Sequence, residues 1–154
     1  MYTRKLRCMD ALKELNIPKE DFVIYGSAPM VLRGLKEKNN DLDVLVRDSL
    51  WDKLSVKYPN NVNGDYIDIN GVSFTHTDKN FLGDIDEVIK NSDIIDGYHI
   101  LSILETKRWK EKVGGERHLA DVKKIDEYLA KVERIYLKCI CIKYNIMRRI
   151  RWVL

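Results

Sequence analysis

The chain is poor in the residues that crosslink a fold or bind metals through sulfur. Its 154 residues include three cysteines, Cys8, Cys139 and Cys141. The last two are two residues apart, too close for a usual zinc pair, and no histidine lies near either. The spacing therefore excludes the common zinc-binding classes, and buried free thiols in a reducing compartment are the simplest expectation.

Long apolar runs are also missing. The first ten residues contain no apolar stretch of the length that a signal peptide needs. No segment reaches the length of a membrane span. We therefore expect a cytoplasmic protein with no membrane among its partners.

The charge of the chain is nearly balanced, with a net charge of +3. Acids predominate between Asp65 and Asp96, whereas Arg148, Arg149 and Arg151 lie within the last seven residues, which contain no acid. Such a basic end could contact a phosphate backbone, although a solvated helix end is the commoner case. Apolar residues make up 45% of the chain and charged residues 33%, as in ordinary soluble globular proteins.

Hydrophobic periodicity predicts an α/β (α+β) fold, with a small mixed sheet flanked by helices and a helical C-terminal third. The length fits one domain, which we place at residues 1–132, followed by a helical, basic and apolar appendage at 133–154. Strands are predicted at 22–25, 41–47, 66–70, 72–75 and 94–95. Helices are predicted at 3–15, 29–37, 50–57, 84–90, 100–111 and 118–132.

A Gly-Ser turn lies between the first predicted strand and the helix that follows it. Gly26 allows the close backbone approach that a side chain would block. Ser27 adds a hydroxyl, and the first turn of a helix offers free N–H groups. These features together predict a phosphate-binding turn.

Three aspartates follow on predicted strands. Asp41 and Asp43 are two residues apart, so both carboxylates project from the same face. Such a pair is costly unless a cation joins it, and hard oxygen ligands favour Mg²⁺. Asp68, between two isoleucines, would add a third carboxylate and permit a two-ion site for phosphoryl-group displacement. Asp65 is the alternative third acid, and Asp41 and Asp43 could instead be acids that protect a strand edge from aggregation.

The segments Tyr25–Leu35 and Asn40–Val46 resemble the signature of the nucleotidyltransferase (DNA polymerase β-like) superfamily. Small stand-alone members are the most similar, akin to lincosamide nucleotidyltransferases and to toxin-type enzymes of phage-defence systems. Downstream, Leu104–Trp109 and His118–Val122 extend the resemblance, which covers roughly residues 20–130.

The resemblance implies a nucleotidyltransferase-type sheet and roles for individual residues. Asp41, Asp43 and Asp68 would be the metal ligands and catalytic acids, and Ser27 would contact phosphate. Two Mg²⁺ ions are implied, with Mn²⁺ as the alternative. The chain departs from the pattern at Gly114-Gly115, where relatives keep a compact Arg/Lys-rich turn, and it resembles nothing known to us after Val132.

Downstream basic residues suggest further contacts. Lys107 and Lys110 are three residues apart on a predicted helix and therefore share a face, either as a clamp on the triphosphate or as a solvated surface. His118 and Asp121 are also three apart. They could be a base and its orienting carboxylate, or a helix cap or an ion pair with Arg117.

We therefore expect metal-dependent transfer of a nucleoside monophosphate from a nucleoside triphosphate to an acceptor. The acceptor stays open between an RNA end, a protein and a small molecule. The alternative from a different class is a non-catalytic module of the same fold that binds a nucleotide, a nucleic acid or a protein partner.

Overall fold

A mixed sheet with helices on both faces forms the body of the protein. The computed structural model describes residues 5–76 and 81–150, with side chains up to residue 140. The strands are β1 (Phe22–Ile24), β2 (Leu42–Val46), β3 (Val62–Asn63), β4 (Tyr66–Ile69), β5 (Val72–Thr75), β6 (Asp93–Ile95) and β7 (Tyr98–Ile100). The helices are α1 (Met9–Glu14), α2 (Ala28–Leu32), α3 (Asp48–Lys57), α4 (Ile85–Lys90), α5 (Ile103–Val113) and α6 (Glu116–Ile150). The predicted fold class is thus confirmed as a mixed sheet flanked by helices with a helical C-terminal portion.

The strand order in the described residues is β3-β4-β5-β2-β1-β7-β6. β1 pairs antiparallel with β2 and parallel with β7, and β2 pairs parallel with β5. β4 and β5 pair antiparallel as a hairpin. The first strand along the chain therefore lies near the middle of the sheet, and the turn that follows it is surrounded by other elements.

Alternation along the strands gives the sheet two apolar faces. Val44, Ile67 and Phe74 are fully buried on one face, where they pack with apolar residues of α1, α2 and α3. Val23 and Leu45 are fully buried on the other, beneath α4 and α5. Because side chains alternate between faces, the polar residues of β2, β4 and β5 share the second face and emerge where its apolar cover ends.

Three predicted elements differ from the structure. The first helix begins at Met9 rather than at residue 3, because Cys8 has a left-handed φ of 64°; Thr3 and Arg4 lie outside the described residues. The helix predicted to reach residue 37 ends at Leu32, and Gly34 follows with φ 76°. The helix predicted at 100–111 begins at Ile103, because Ile100 is the last residue of β7 and Ser102 is the N-cap.

The last element that the structure describes is one long helix, α6. The break at Gly114-Gly115 separates α5 from α6, and both glycines have positive φ. Residues 131–140 of α6 are all exposed, so Cys139 is not the buried thiol that we expected. No helix in the described ranges is both long and apolar enough to cross a membrane. Arg151 and the side chains of Arg148 and Arg149 lie outside the described part of the chain.

Candidate active site

The turn between β1 and α2 has the backbone geometry that only glycine adopts easily. Gly26 is buried and has a φ of 70°, in the left-handed region that costs other residues steric strain. Ser27 is the N-cap of α2, but its hydroxyl makes no capping bond. Its Oγ instead accepts a long hydrogen bond from Lys36 Nζ at 3.4 Å. The serine hydroxyl thus faces a cation and not the helix backbone.

Asp43 lies directly over this turn. A Cβ added to Gly26 would lie 1.9 Å from Asp43 Oδ2 and 2.8 Å from its Cγ. The backbone N–H of Tyr25 also donates to the carbonyl of Asp43 at 3.0 Å. The absence of a side chain at Gly26 therefore provides the space that the Asp43 carboxylate fills.

Sheet register determines where the three predicted acids lie. Asp43 on β2 and Asp68 on β4 are both register partners of Ser73 on β5, one on each side. Asp43 and Asp68 therefore share a row and a face, two strand spacings apart, which is roughly 9–10 Å between Cα atoms. Asp41 and Asp68 are both exposed, whereas Asp43 is partly buried. Contrary to the expectation from the sequence, Asp68 is therefore not on the strand next to Asp43, because β5 lies between β2 and β4.

Three acids do not converge on one point. Within the described residues no group of three or more His, Cys, Asp or Glu side chains is placed to hold a metal ion. The remaining donor pair is Asp41, which directly precedes β2, and Asp43, which lies within it. A pair is enough for Mg²⁺, which proteins commonly hold with one or two carboxylates while water and substrate phosphates complete the shell.

Asp43 is the electrostatically unusual acid of the site. Burial raises its pKa to about 6, and the neighbouring charge of Asp41 adds to the rise. Lys110 and Arg117 act in the opposite direction and favour the charged form, while Asp68 contributes a further small rise. A cation bound next to Asp43 would therefore stabilise the ionised form of its carboxylate.

A buried cluster of charge lies on the side of the site formed by α5 and α6. Asp121 Oδ2 accepts hydrogen bonds from Lys36 Nζ at 2.7 Å and from Lys110 Nζ at 2.9 Å. The Lys110 and Asp121 side chains are 2% and 5% exposed, and that of Lys36 is 17% exposed. Two cations thus share one carboxylate, which leaves a positive charge close to Ser27 and Asp43.

The titration of this cluster follows from burial and from its hydrogen bonds. Burial lowers the pKa of Lys110, although the Asp121 carboxylate partly restores it. Burial acts to raise the pKa of Asp121, but the hydrogen bonds from Lys36 and Lys110 outweigh it, so the pKa is lowered. The carboxylate therefore stays ionised near neutral pH and keeps both lysines in place.

The two lysines predicted to share a face have different partners. Lys110 binds Asp121, whereas Lys107 Nζ lies 2.7 Å from Asp126 and 3.6 Å from Glu111. Both partner aspartates belong to α6, eleven residues or more beyond the lysines they hold. Lys110 acts on the charge of Asp43, and Lys107 is occupied by a half-exposed carboxylate at the edge of the α5–α6 contact.

His118 stands beside this cluster rather than within it. The Asp121 Oδ2 oxygen is bonded to the two lysines, and among the described residues the buried Nδ1 of His118 has no hydrogen-bond partner. The His118 ring packs edge-on against Trp109, and Trp109 packs edge-on against Tyr25. Burial, followed by the charge of Lys110, lowers the pKa of His118. This aromatic row connects α6 to the strand that precedes the Gly-Ser turn.

Two residues of the site were not predicted from the sequence. Lys36 and Asp121 form an ion pair although they are 85 residues apart in the sequence. No local sequence pattern predicts such a pair. Asn39 is fully buried and donates to the Asp41 carbonyl at 2.8 Å, although Lys38-Asn39-Asn40 looks like an ordinary turn. Its place two residues before an Asp-x-Asp pair was the one available signal.

Comparison of the chain with protein-family models, with curated proteins and with solved structures finds no match.

Proposed function

We propose that this protein transfers a nucleoside monophosphate from a metal-bound nucleoside triphosphate to an acceptor and releases pyrophosphate. The observation that carries the proposal is the Asp43 carboxylate, which lies over Gly26, near the charge of Asp41 and the charge of the buried Lys110. A metal–triphosphate complex requires acids for the metal and cations for the phosphates. Asp41 and Asp43 form the acidic half of the site, and Lys36 and Lys110 form the cationic half.

The cationic half suits the phosphate chain. Lys36 and Lys110 are held on one carboxylate oxygen beside the Ser27 hydroxyl. Arg117 is close enough to lower the pKa of Asp43. The cluster therefore offers positive charge that is already ordered before a ligand arrives, and ordered charge is worth more at a site than mobile charge. Lys107 has no part in this proposal because its partner Asp126 lies elsewhere.

The acidic half suits the metal. Asp41 and Asp43 would hold Mg²⁺, with Mn²⁺ as the alternative, through their carboxylate oxygens. The raised pKa of Asp43 supports this assignment, because a bound cation would offset the repulsion from Asp41 and would favour the ionised form. Asp68 would serve as a third ligand only if the substrate and a second ion together spanned the distance from Asp43 to Asp68, on either side of Ser73.

The catalytic contribution of the chain would be position and charge. When bound, Mg²⁺ neutralises phosphate charge and lowers the pKa of an oxygen bound to it. The lysine cluster would hold the pyrophosphate portion, and Ser27 and the Gly26 backbone would orient it. Asp68, exposed at the end of the row, is the acid that can receive the proton of an acceptor hydroxyl. The acceptor is therefore expected on the β4 side of the site, whether it is an RNA end, a protein or a small molecule.

Calorimetric titration with each of the four nucleoside triphosphates tests the proposal. Wild-type protein should bind at least one of them in the presence of Mg²⁺ and bind it far more weakly in a chelator. The Asp41→Asn/Asp43→Asn double variant should lose the metal-dependent part of the affinity. Asp52→Asn is the matched control, because Asp52 is an exposed acid on α3, a helix of the opposite sheet face.

Two outcomes would redirect the assignment. Metal-dependent binding without any transfer of the α-phosphate would favour the non-catalytic binding module. Absence of binding to folded wild-type protein for all four triphosphates would contradict the proposal, provided that the same result holds with RNA and with protein extract added as acceptor.

A further inference from the structure

Asn39 uses its side chain to join two segments that are distant in sequence. Its amide is fully buried. Oδ1 accepts from the backbone N–H of Arg7 at 2.9 Å, and Nδ2 donates to the Arg7 carbonyl at 3.1 Å. Nδ2 also donates to the carbonyl of Asp41 at 2.8 Å. A side chain with both of its ends bonded in the interior is held rigidly, because each lost bond would leave a buried polar group unpaired.

The peptide that joins Asp41 to Leu42 is therefore held from both sides. Its carbonyl accepts from Asn39, and its N–H, which belongs to Leu42, donates to the carbonyl of Gly71 at 3.0 Å. This peptide lies between the two aspartates of the acidic half. Its orientation decides where the Asp41 side chain starts.

The segment before α1 contacts both Asn39 and Gly71, the two residues that bond the Asp41–Leu42 peptide. Arg7 bonds Asn39 through its own backbone, and Cys8 covers Gly71 so closely that an added Cβ there would lie 2.8 Å from Cys8 Sγ. Cys8 has a φ of 64°, a strained conformation for a residue with a side chain. Strain of this kind persists only where surrounding contacts hold it. Arg7 and Cys8 thus brace the same peptide by two independent contacts.

We propose that Asn39 is a positioning residue, which together with the Arg7–Cys8 segment fixes the Asp41–Leu42 peptide and thereby sets Asp41 for the metal. The inference about the metal rests on the proposed function, whereas the inference about the peptide does not. Residues that orient a metal ligand without touching the metal commonly change metal affinity by 10–100-fold when they are replaced. Asn39 would act in this way through the backbone of Asp41.

Three variants separate this role from general stability. Asn39→Ala removes all three bonds, whereas Asn39→Asp keeps the shape and the acceptor for Arg7 but cannot donate to Asp41. Asn40→Ala is the matched control, since Asn40 is the exposed neighbour in the same turn. Each variant is assayed well below its unfolding temperature for Mg²⁺ affinity in the presence of nucleoside triphosphate, for triphosphate affinity in a chelator, and for hydrogen exchange of the Leu42 amide.

The proposal predicts that Asn39→Ala and Asn39→Asp weaken Mg²⁺ binding by roughly tenfold, leave the chelator affinity unchanged within twofold, and speed exchange of the Leu42 amide. Asn40→Ala should behave as wild type in all three. A purely structural role would lower the unfolding temperature, leave both affinities unchanged and speed Leu42 exchange no more than the exchange of other strand amides, and that result would overturn the inference. If wild-type protein binds no triphosphate, the proposed function fails, and Leu42 exchange alone then decides whether Asn39 holds the peptide.

Discussion

Replacement of Gly26 by alanine is the substitution for which the structure gives the most definite expectation. Two costs act together at this position. The left-handed backbone, with φ 70°, costs a residue with a Cβ about 1–2 kcal/mol. The new methyl group would also lie 1.9 Å from Asp43 Oδ2, so the carboxylate has to withdraw by about 1 Å, a displacement that can cost an active site roughly 100-fold in rate.

Gly34 provides the control that separates the two costs. It has a φ of 76°, and a Cβ added there would meet nothing within 4 Å. Gly34→Ala should therefore lose only the backbone component of the free energy of unfolding. Gly26→Ala should lose more than this, and should also bind triphosphate at least about tenfold more weakly in Mg²⁺, because Asp43 is displaced.

Urea unfolding and calorimetry measure these quantities. Equal losses of stability in the two variants, together with undiminished Mg²⁺-dependent binding by Gly26→Ala, would refute the reasoning. That result would mean that Asp43 does not need the place over the turn that the structure gives it.

The remaining predictions concern charge. Burial raises the folded pKa of Asp43 to about 6, so the contribution of its protonated form to the free energy of unfolding is complete below the unfolded pKa and is lost as the pH rises through 6. Asp43→Asn should therefore stabilise the metal-free protein by about 2–3 kcal/mol near pH 8 and little near pH 4. Urea unfolding at the two pH values measures the difference. A gain that does not depend on pH would contradict this. Asp121→Asn should cost about 3–5 kcal/mol because it leaves buried Lys110 unpaired, whereas Asp126→Asn should cost much less, because its pair with Lys107 is open to solvent. Similar losses in the two variants would argue against a buried cluster. Lys110→Met should weaken triphosphate binding in calorimetry and Lys107→Met should not, because of the two only Lys110 acts on the charge of Asp43. Equal effects of the two substitutions would indicate that both lysines contact the triphosphate.

Local pattern was enough to predict the sheet face on which Asp43 and Asp68 lie. The alternation of apolar and acidic residues around Asp43 and Asp68 fixes which face each side chain takes, and the structure confirms that both lie on one face. The Gly-Ser turn was predictable for the same reason, since a strand and a helix on either side of Gly26 leave little choice of backbone. The distance between Asp43 and Asp68 could not be predicted in this way, because it depends on which strands pair. In the structure β5, which carries Ser73, lies between them.

The cationic half could not be predicted as a unit. Lys36, Lys110 and Asp121 come from three segments, and only the packing of α5 and α6 against the turn brings them together. β7 was missed for a related reason. Its three residues carry no strand pattern of their own, and they form a strand because β1 and β6 lie on either side. In contrast, Ser102 is the N-cap of α5 and its Oγ accepts from the backbone N–H of Glu105 at 3.2 Å, so the Ser-x-x-Glu pattern does mark the start of the helix, and that signal was available.

Transfer of a label from the triphosphate tests the central claim most directly. Wild-type protein is incubated with Mg²⁺, total RNA and protein extract, and with a nucleoside triphosphate that is labelled either at the α-phosphate or at the γ-phosphate. The account predicts that the α-label becomes attached to an acceptor, that the γ-label is released as pyrophosphate, and that Asp43→Asn abolishes both while Asp52→Asn does not. Attachment of the γ-label, or transfer that persists in Asp43→Asn, would contradict it.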